Sequence, residues 1–441
     1  MKYFRIKMIE GFSRLSKAER RERLVDHGVI AQEQKKQLEA FDLRDEQQAT
    51  LDNIAENTIA NYYLPMGIVP NVYINGKHYW VPMVTEESSV IAAAAYAAKF
   101  WAQHGGFRTK VVGTTKLGQI HFFWAGNASE LNPLWAELEQ QLLKSSEYLN
   151  ENMQKRGGGI IGIEYEDFSH LIPQYHRIHV YFNTVDAMGA NYINSCLEAM
   201  AKELPVFMGQ HFSNEKAHCE VNMAILSNYT PECLVECTLE CRIEELEAVS
   251  GGMGSEKFAD RFSKAIAIAQ VDPYRAVTHN KGIYNGIDAV VIATGNDFRA
   301  VEACGHAYAA RSGRYTSLSQ CKVENGLFRF SVAIPMAVGT VGGLTRAHPM
   351  AALALEILGN PSAEELMQIA ASMGMANHFA AIRALVTTGI QKGHMKMHLG
   401  KILQHLQASD HEYEMALKHF ATHEVSFKAV ADFLQHQRAK K

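Results

Sequence analysis

Long apolar runs of the kind that cross a membrane are not expected in this chain. The most apolar window, Ser88 to Phe100, is far short of the roughly 20 residues a span needs, and it contains Lys99. The opening residues, MKYFRIKMIEGF, carry charges throughout and lack the apolar run of a secretory leader. A cytoplasmic protein with no membrane association is therefore the expectation. Cysteine is scarce: seven in 441 residues, an odd number, which argues against a disulfide framework and for a reducing compartment. Excess charge of either sign is lacking too. With 43 basic and 47 acidic residues the net charge is −4, so the footprint of a nucleic-acid-binding protein is absent. The one dense basic run, Lys17, Arg20, Arg21 and Arg23, is broken by acids and reads as a solvated helix face. There is no internal repeat and no low-complexity linker. There is also no P-loop, GxSxG or CxxC, so kinase, serine-hydrolase and thioredoxin chemistry lack support.

What is present is globular: 47% hydrophobic and 20% charged residues. The length predicts about three domains or lobes, with a core large enough to need no staple. Ser16 to Glu19 is a capping box that opens a helix through Val25, and more helix is expected from Ala31 to about Asn57. Two prolines keep Leu64 to Pro70 out of a helix. Asn71 to Val84 reads as a hairpin turning at Asn75-Gly76. An alanine-rich helix then runs up to Gly105-Gly106. From about 110 to 226 the predicted order is strand (Gln119 to Trp124), helix (Glu130 to Asn150), two strands (Ile160 to Asp167, Arg177 to Asn183), helix (Asn191 to Leu204) and strand (Cys219 to Ser227). That is the order of a ferredoxin-like unit. In Glu232 to Glu244 the odd positions Cys233, Val235, Cys237, Leu239, Cys241 and Ile243 form one apolar face. The cysteines are thus expected as buried strand residues, not as metal ligands. Val332 to Val338 resembles a strand leading into the glycine-rich loop Gly339 to Gly343. Ser362 to Glu365 is a second capping box, starting helices that run with breaks to Thr388.

The stretch with the most chemistry is THNKGIYNGIDAVVIATGND, Thr278 to Asp297. Its middle, Ile287 to Thr294, is apolar except for Asp288. Lys281 stands on one side among loop-forming residues (Asn280, Gly282, Asn285, Gly286), and Asp297 closes the other. An amine of tunable pKa beside a carboxylate suits the polarisation of a carbonyl oxygen. A core helix with solvated ends fits the same pattern. A helix of about ten residues is roughly 15 Å long; if Ile287 to Thr294 belongs to one, the Lys281 loop must fold back for the two to meet. Elsewhere, Gly157 to Gly162 matches GxGxxG, but a strand follows it where a Rossmann fingerprint needs a helix. Asp186 to Asn191 lies between a strand and a helix, where helix-start amides can receive an anion. His394 and His398 are spaced like zinc ligands, but the glutamate of HExxH is missing. His394 after a glycine hinge suits a mobile proton donor instead.

Taken in order, Glu56-Asn57, LPMGIVP, the hairpin with VPMVTEESSV, DAMGAN, DPYRAVTHNKGIYNGIDAVVIATGND, GTVGG and GIQKGHMKMH together resemble class II (bacterial-type) 3-hydroxy-3-methylglutaryl-CoA (HMG-CoA) reductases over nearly the whole chain. The resemblance implies an α+β fold. A large, mainly helical substrate domain (1–109 and 227–388) would carry an inserted ferredoxin-like NAD(P)-binding domain (110–226) and a C-terminal helical flap (389–441). It implies a homodimer with active sites at the subunit interface. It also implies a two-step, four-electron reduction of HMG-CoA to mevalonate and CoA with two NADPH or NADH and no metal, or the reverse reaction.

Residue by residue, the resemblance makes Glu87, Lys281, Asp297 and His394 catalytic. Lys281 would stabilise the oxyanion, and His394 would protonate the departing sulfur. Glu87 would give a proton to the aldehyde stage, and Asp297 would hold Lys281 charged and link it to Glu87. Ser89, Arg275 and Asn285 match substrate-holding positions, and Asp186, Met188, Gly189 and Asn191 the coenzyme motif. Three departures stand out. Ile161-Gly162 replace an Arg-Asp pair whose acid favours the free 2′-hydroxyl of NAD, which leaves coenzyme preference open. His378 stands where an asparagine near the substrate is expected. Ser88 replaces a common proline. A silent acyl-CoA-binding homologue and a zinc hydrolase are the competing readings.

Overall fold

A computed structural model describes residues 10–387, 389, 399–420, 422–423 and 425–439. The chain begins with α1 (Lys17–Asp26), α2 (Gln32–Glu39) and α3 (Asp45–Asp52). Both bonds of the Ser16–Glu19 capping box are made. The expected continuous helix from Ala31 is two short ones instead. The basic run is also more than a solvated face. Lys17 bridges Asp42 and Asp52 at 2.9 Å, and Arg21, almost wholly buried, forks onto Asp42 at 2.7 Å.

β1 (Met66–Ile74) and β2 (Lys77–Val84) form the predicted hairpin. Asn75 and Gly76 turn it at φ 48° and 88°, the pair of positive angles a two-residue hairpin loop needs. Pro70 is tolerated where the register shifts between Val69 and Val72. The alanine-rich segment is α4 (Val90–Ala102). It packs on β1 and its small faces admit other backbones.

β3 (Arg108–Val111) belongs to a four-stranded sheet completed later in the chain. β4 (Lys116–Trp124), α5 (Ala128–Leu131), α6 (Trp135–Ser145), α7 (Glu147–Gln154), β5 (Gly159–Asp167), β6 (Tyr175–Asn183), α8 (Ala190–His211) and β7 (Cys219–Ser227) follow. These four strands are all antiparallel, in the order β5-β6-β4-β7. One face carries α6 and α8 over a core of its own, with Trp124, Phe122, Phe182, Met200 and Phe207. The helix expected from Glu130 is three pieces.

β8 (Leu234–Arg242) then joins β3, and its Cys237 and Cys241 are buried as read, as is Cys233 just before it; burial pushes the thiols of Cys237 and Cys241 up to about 12. α9 (Ser255–Val271), α10 (Pro273–Ala293) and α11 (Phe298–Ala309) come next, followed by the hairpin β9 (Ser319–Glu324) and β10 (Leu327–Pro335). The second sheet is ordered β3-β8-β10-β9. α12 (Leu344–Ala347), α13 (Pro349–Ile357) and α14 (Ala363–Val386) complete the main body. α14 is a single helix, opened by the Ser362–Glu365 box. It has the length and hydropathy of a membrane span, but 67% of that window is buried inside the protein, as for a core helix. Residues 399–405 are helical, and Asp410–His419 and Phe427–Arg438 pack with them around a small separate core.

α10 is where the fold departs most from expectation. It is one helix of 21 residues, so no loop surrounds Lys281 and none folds back. Asp272 caps it and Pro273 sits at its first position. Its glycines are packing contacts with α14. A Cβ on Gly286 would lie 2.2 Å from the Met373 carbonyl oxygen, and one on Gly374 would lie 2.7 Å from Ile287.

Candidate active site

Lys281 emerges midway along α10 with its side chain 62% exposed. Its Nζ lies 3.6 Å from Glu87 Oε2, and Glu87 is 39% exposed. The two residues come from segments far apart in sequence, so their approach is a product of the fold. Glu87 stands in the short connection between β2 and α4. Its N–H donates to Thr85 Oγ1 at 3.2 Å, and Ser89 Oγ donates to its Oε1 at 2.7 Å. Ser89 occupies the N-cap of α4 but gives that helix no side-chain bond; its hydroxyl orients Glu87 instead. Asn377 of α14 donates to the Val90 carbonyl at 2.7 Å, tying the start of α4 to the core.

Asn285 stands one turn beyond Lys281 on the same side of α10, half-buried. Arg275 lies nearer the helix start, also half-buried. Burial lowers its pKa, and Asp272 partly restores it. The fold thus gathers Glu87, Ser89, Lys281 and Asn285, with Arg275 further along the same helix.

Asp297 is not among them. It caps α11, accepting from the amides of Arg299 and Ala300 and from the Arg299 side chain at 2.8–3.2 Å. Burial pushes its carboxyl up, but Arg299 and those amides outweigh this and hold it below the usual range. Between Lys281 and the end of α10 at Ala293 lie roughly 18 Å of helix, at 1.5 Å per residue. Within one chain the expected contact of Asp297 with Lys281 is therefore not made. His394 lies outside the described residues, as does His398.

Asp288, two turns past Lys281, is a feature whose importance the sequence did not mark. Burial, then the neighbouring Glu302 carboxyl and the charge of Glu86, push its pKa up to about 8. His378, expected near the substrate, is instead 1% exposed. Its Nε2 lies 2.9 Å from His279 Nε2, and His279 lies 2.7 Å from the Ser319 hydroxyl. Burial, with the Arg275 charge adding, drives His279 down to about 3 and lowers His378 well below its ordinary value.

The other predicted cluster sits between β6 and α8. Asn183 accepts the Val185 N–H at 2.9 Å, and Thr184 Oγ1 donates to the Ala187 carbonyl at 2.6 Å. Gly189 ends the turn at φ 94° as the N-cap of α8, with no side chain capping the first amides. Met188 lies against Gly339, where an added Cβ would come within 2.4 Å of the Met188 nitrogen. Asn191 is exposed in the first turn of α8. Asp186 is committed to the fold: its carboxylate accepts the Ala363 N–H at the start of α14 (2.8 Å), and its carbonyl accepts the Thr340 N–H (2.8 Å). A cavity of about 490 Å³ opens beside it, lined by Thr340, Arg346, Glu356 and Ser362 among others.

Beneath this turn is a residue the sequence reading missed. Lys116, the first residue of β4, is 4% exposed. It donates to Thr184 Oγ1 at 2.6 Å and to the Ala187 carbonyl at 3.2 Å. The signal was available: Lys116 shares the inward register of β4 with Gly118, Ile120, Phe122 and Trp124. Among the described residues, no group of His, Cys, Asp and Glu is arranged to hold a metal.

The sequence model of the hydroxymethylglutaryl-coenzyme A reductase family matches residues 17–399. A 3-hydroxy-3-methylglutaryl-coenzyme A reductase of Archaeoglobus fulgidus is 36% identical over 398 residues, covering 88% of this chain and 85% of that one. Two structures of the Streptococcus pneumoniae enzyme are similar. One, at 38% identity and a TM-score of 0.71, and another, a class II enzyme bound to NADPH in open conformations, at 37% and 0.69, each cover 86% of this chain and 99% of theirs.

Proposed function

Because this chain belongs to the hydroxymethylglutaryl-coenzyme A reductase family, we propose that the Lys281–Glu87 pair is the reacting centre of an HMG-CoA reductase. The chain is an NAD(P)H-dependent oxidoreductase of the mevalonate pathway. It reduces HMG-CoA in two steps and four electrons to mevalonate and CoA, using two NAD(P)H. The observation that carries the site is the 3.6 Å approach of Lys281 to Glu87, with Ser89 bonded to the same carboxylate.

The roles follow from the chemistry. Reduction of the thioester places negative charge on its carbonyl oxygen, and Lys281 as an ammonium neutralises that charge. The resulting hemithioacetal collapses and expels the CoA thiolate, which His394 protonates. At the aldehyde stage Glu87, in its acid form, gives the proton to the new alcohol. Ser89 and Asn285 flank the reacting carbon, and the Arg275 fork suits the HMG carboxylate. Asp297 enters in trans. The chain is a homodimer in this reading, with Asp297 of the partner subunit approaching Lys281, because α10 keeps the two apart within one chain.

The bound dinucleotide supplies one hydride in each step. The turn at Asp186–Asn191 suits its diphosphate. The first amides of α8 are uncapped, Gly189 allows close approach, and Met188 and Asn191 flank the opening. Asp186 serves this site indirectly, by fixing the turn to α14. One similar enzyme binds NADPH, and here the exposed Ile161 and Gly162 present no acid to repel a 2′-phosphate. We take residues 110–226 as the coenzyme domain, 1–109 and 227–388 as the substrate domain and 389–441 as the flap, in a cytoplasmic enzyme. Initial rates with HMG-CoA and either NADPH or NADH test the reading: both should be oxidised, and no oxidation of either would end it.

A further inference from the structure

Lys116 has a feature that packing does not account for. The inward face of β4 is otherwise small or apolar: Gly118, Ile120, Phe122 and Trp124. A methionine would span the same distance without the cost of burying an ammonium. Such burial is expensive unless a counter-charge answers it. Yet among the described residues Lys116 makes no ion pair, and its bonds are to a hydroxyl and a carbonyl. Burial lowers its pKa, and Asp186, a carboxylate whose charge partly offsets this, is bonded to the Ala363 amide instead.

The position of this charge is specific. Its two acceptors, Thr184 and Ala187, belong to the turn that leads into α8, and Thr184 also donates to Ala187. Lys116 thus fastens the turn from below. Its charge adds to the positive end of α8, a helix of 22 residues whose first amides no side chain caps. Both act in the same direction on whatever occupies the turn.

We propose that Lys116 is a positioning residue for the coenzyme: its buried, unpaired ammonium fixes the Thr184–Gly189 turn and supplies the positive charge that an anionic diphosphate neutralises. The inference rests on the reading of this turn as the dinucleotide site. It goes further by assigning diphosphate affinity to a residue outside the Asp186–Asn191 motif and outside the catalytic set.

The test uses the full chain and two variants. Lys116→Met removes charge and hydrogen bonds; Lys116→Gln removes the charge and keeps a donor. Calorimetry measures binding of NAD⁺, NADP⁺ and, as a probe without phosphate, adenosine. Steady-state kinetics measures KM for coenzyme and for HMG-CoA. Both variants should bind the dinucleotides about tenfold or more weakly and show a raised coenzyme KM. The HMG-CoA KM and any adenosine binding should be unchanged, and the melting temperature should be equal or higher. Dinucleotide binding as in wild type by either folded variant overturns the inference. So does an equal loss of HMG-CoA affinity, which would mark a general structural defect. If the wild-type chain binds neither dinucleotide, the reading of the turn itself fails, and this inference with it.

Discussion

His279 and His378 face each other through Nε2 atoms 2.9 Å apart, both buried. Neither takes up a proton at the ordinary histidine value, because burial and the Arg275 charge oppose it. The unfolded chain does protonate these rings below about pH 6.5. Their contribution to stability is therefore present above that value and is lost as the pH falls toward 3, where His279 finally titrates. His378→Asn, which restores the residue the family resemblance leads one to expect, removes part of this acid sensitivity. Denaturant melts at pH 7.5 and 5.5 should show a smaller loss for the variant than for wild type; an equal loss would contradict it. Gly305 offers a packing prediction. A Cβ there would lie 1.4 Å from the Tyr284 hydroxyl, which is buried without a partner. Gly305→Ala should cost roughly 1–3 kcal/mol or more, read as a lowered denaturation midpoint. Glu87 and Lys281 were legible in the sequence because they sit in long motifs. His378 was visible only as a departure, since its burial depends on a partner 99 positions away.

α10 shows why local reading fails on such an element. Asn280, Gly282, Asn285 and Gly286 have loop preferences, and they read as a loop. Tertiary packing overrides them: Asn280 bonds to Thr316 and Leu318, while Gly282 and Gly286 let α14 approach. Gly286→Ala should push the two helices apart, costing roughly 1–3 kcal/mol and lowering kcat through a displaced Lys281. A melting temperature equal to wild type would contradict that contact. The same helix carries Asp288, whose carboxyl titrates near 8 in the folded chain. The unfolded chain releases this proton near the ordinary aspartate value of about 3.9. Any stability tied to the protonated form is therefore lost as pH rises from there through 8. Asp288→Asn lacks that titration, so its melting temperature relative to wild type should increase between pH 5 and 8.5. A constant difference would show that the carboxyl is ionised in the folded state. Other elements were easier. The hairpin at Asn75-Gly76, the inward face of Cys233, Cys237 and Cys241 and both capping boxes follow from period and turn chemistry alone. The β9–β10 hairpin was missed although Asn325-Gly326 carries the same signal.

Across the whole molecule, the alternating strands from 110 to 226 made the succession of that unit legible, and the antiparallel order β5-β6-β4-β7 gives it its own core. A single chain does not bring Asp297 to Lys281, because a rigid helix separates them. The account's central claim is that one protomer gives Lys281 with Glu87 and the other gives Asp297. Mixing Lys281→Ala chains with Asp297→Asn chains, after dissociation and reassembly, tests this most directly; the asparagine keeps the α11 cap. Each variant alone should lose roughly 10²–10³-fold or more in kcat. In the mixture, half the dimers are hybrids, and each hybrid has one site with both residues intact. Activity should return to roughly a quarter of wild type for a two-fold dimer. A mixture no more active than its parents would contradict the shared site.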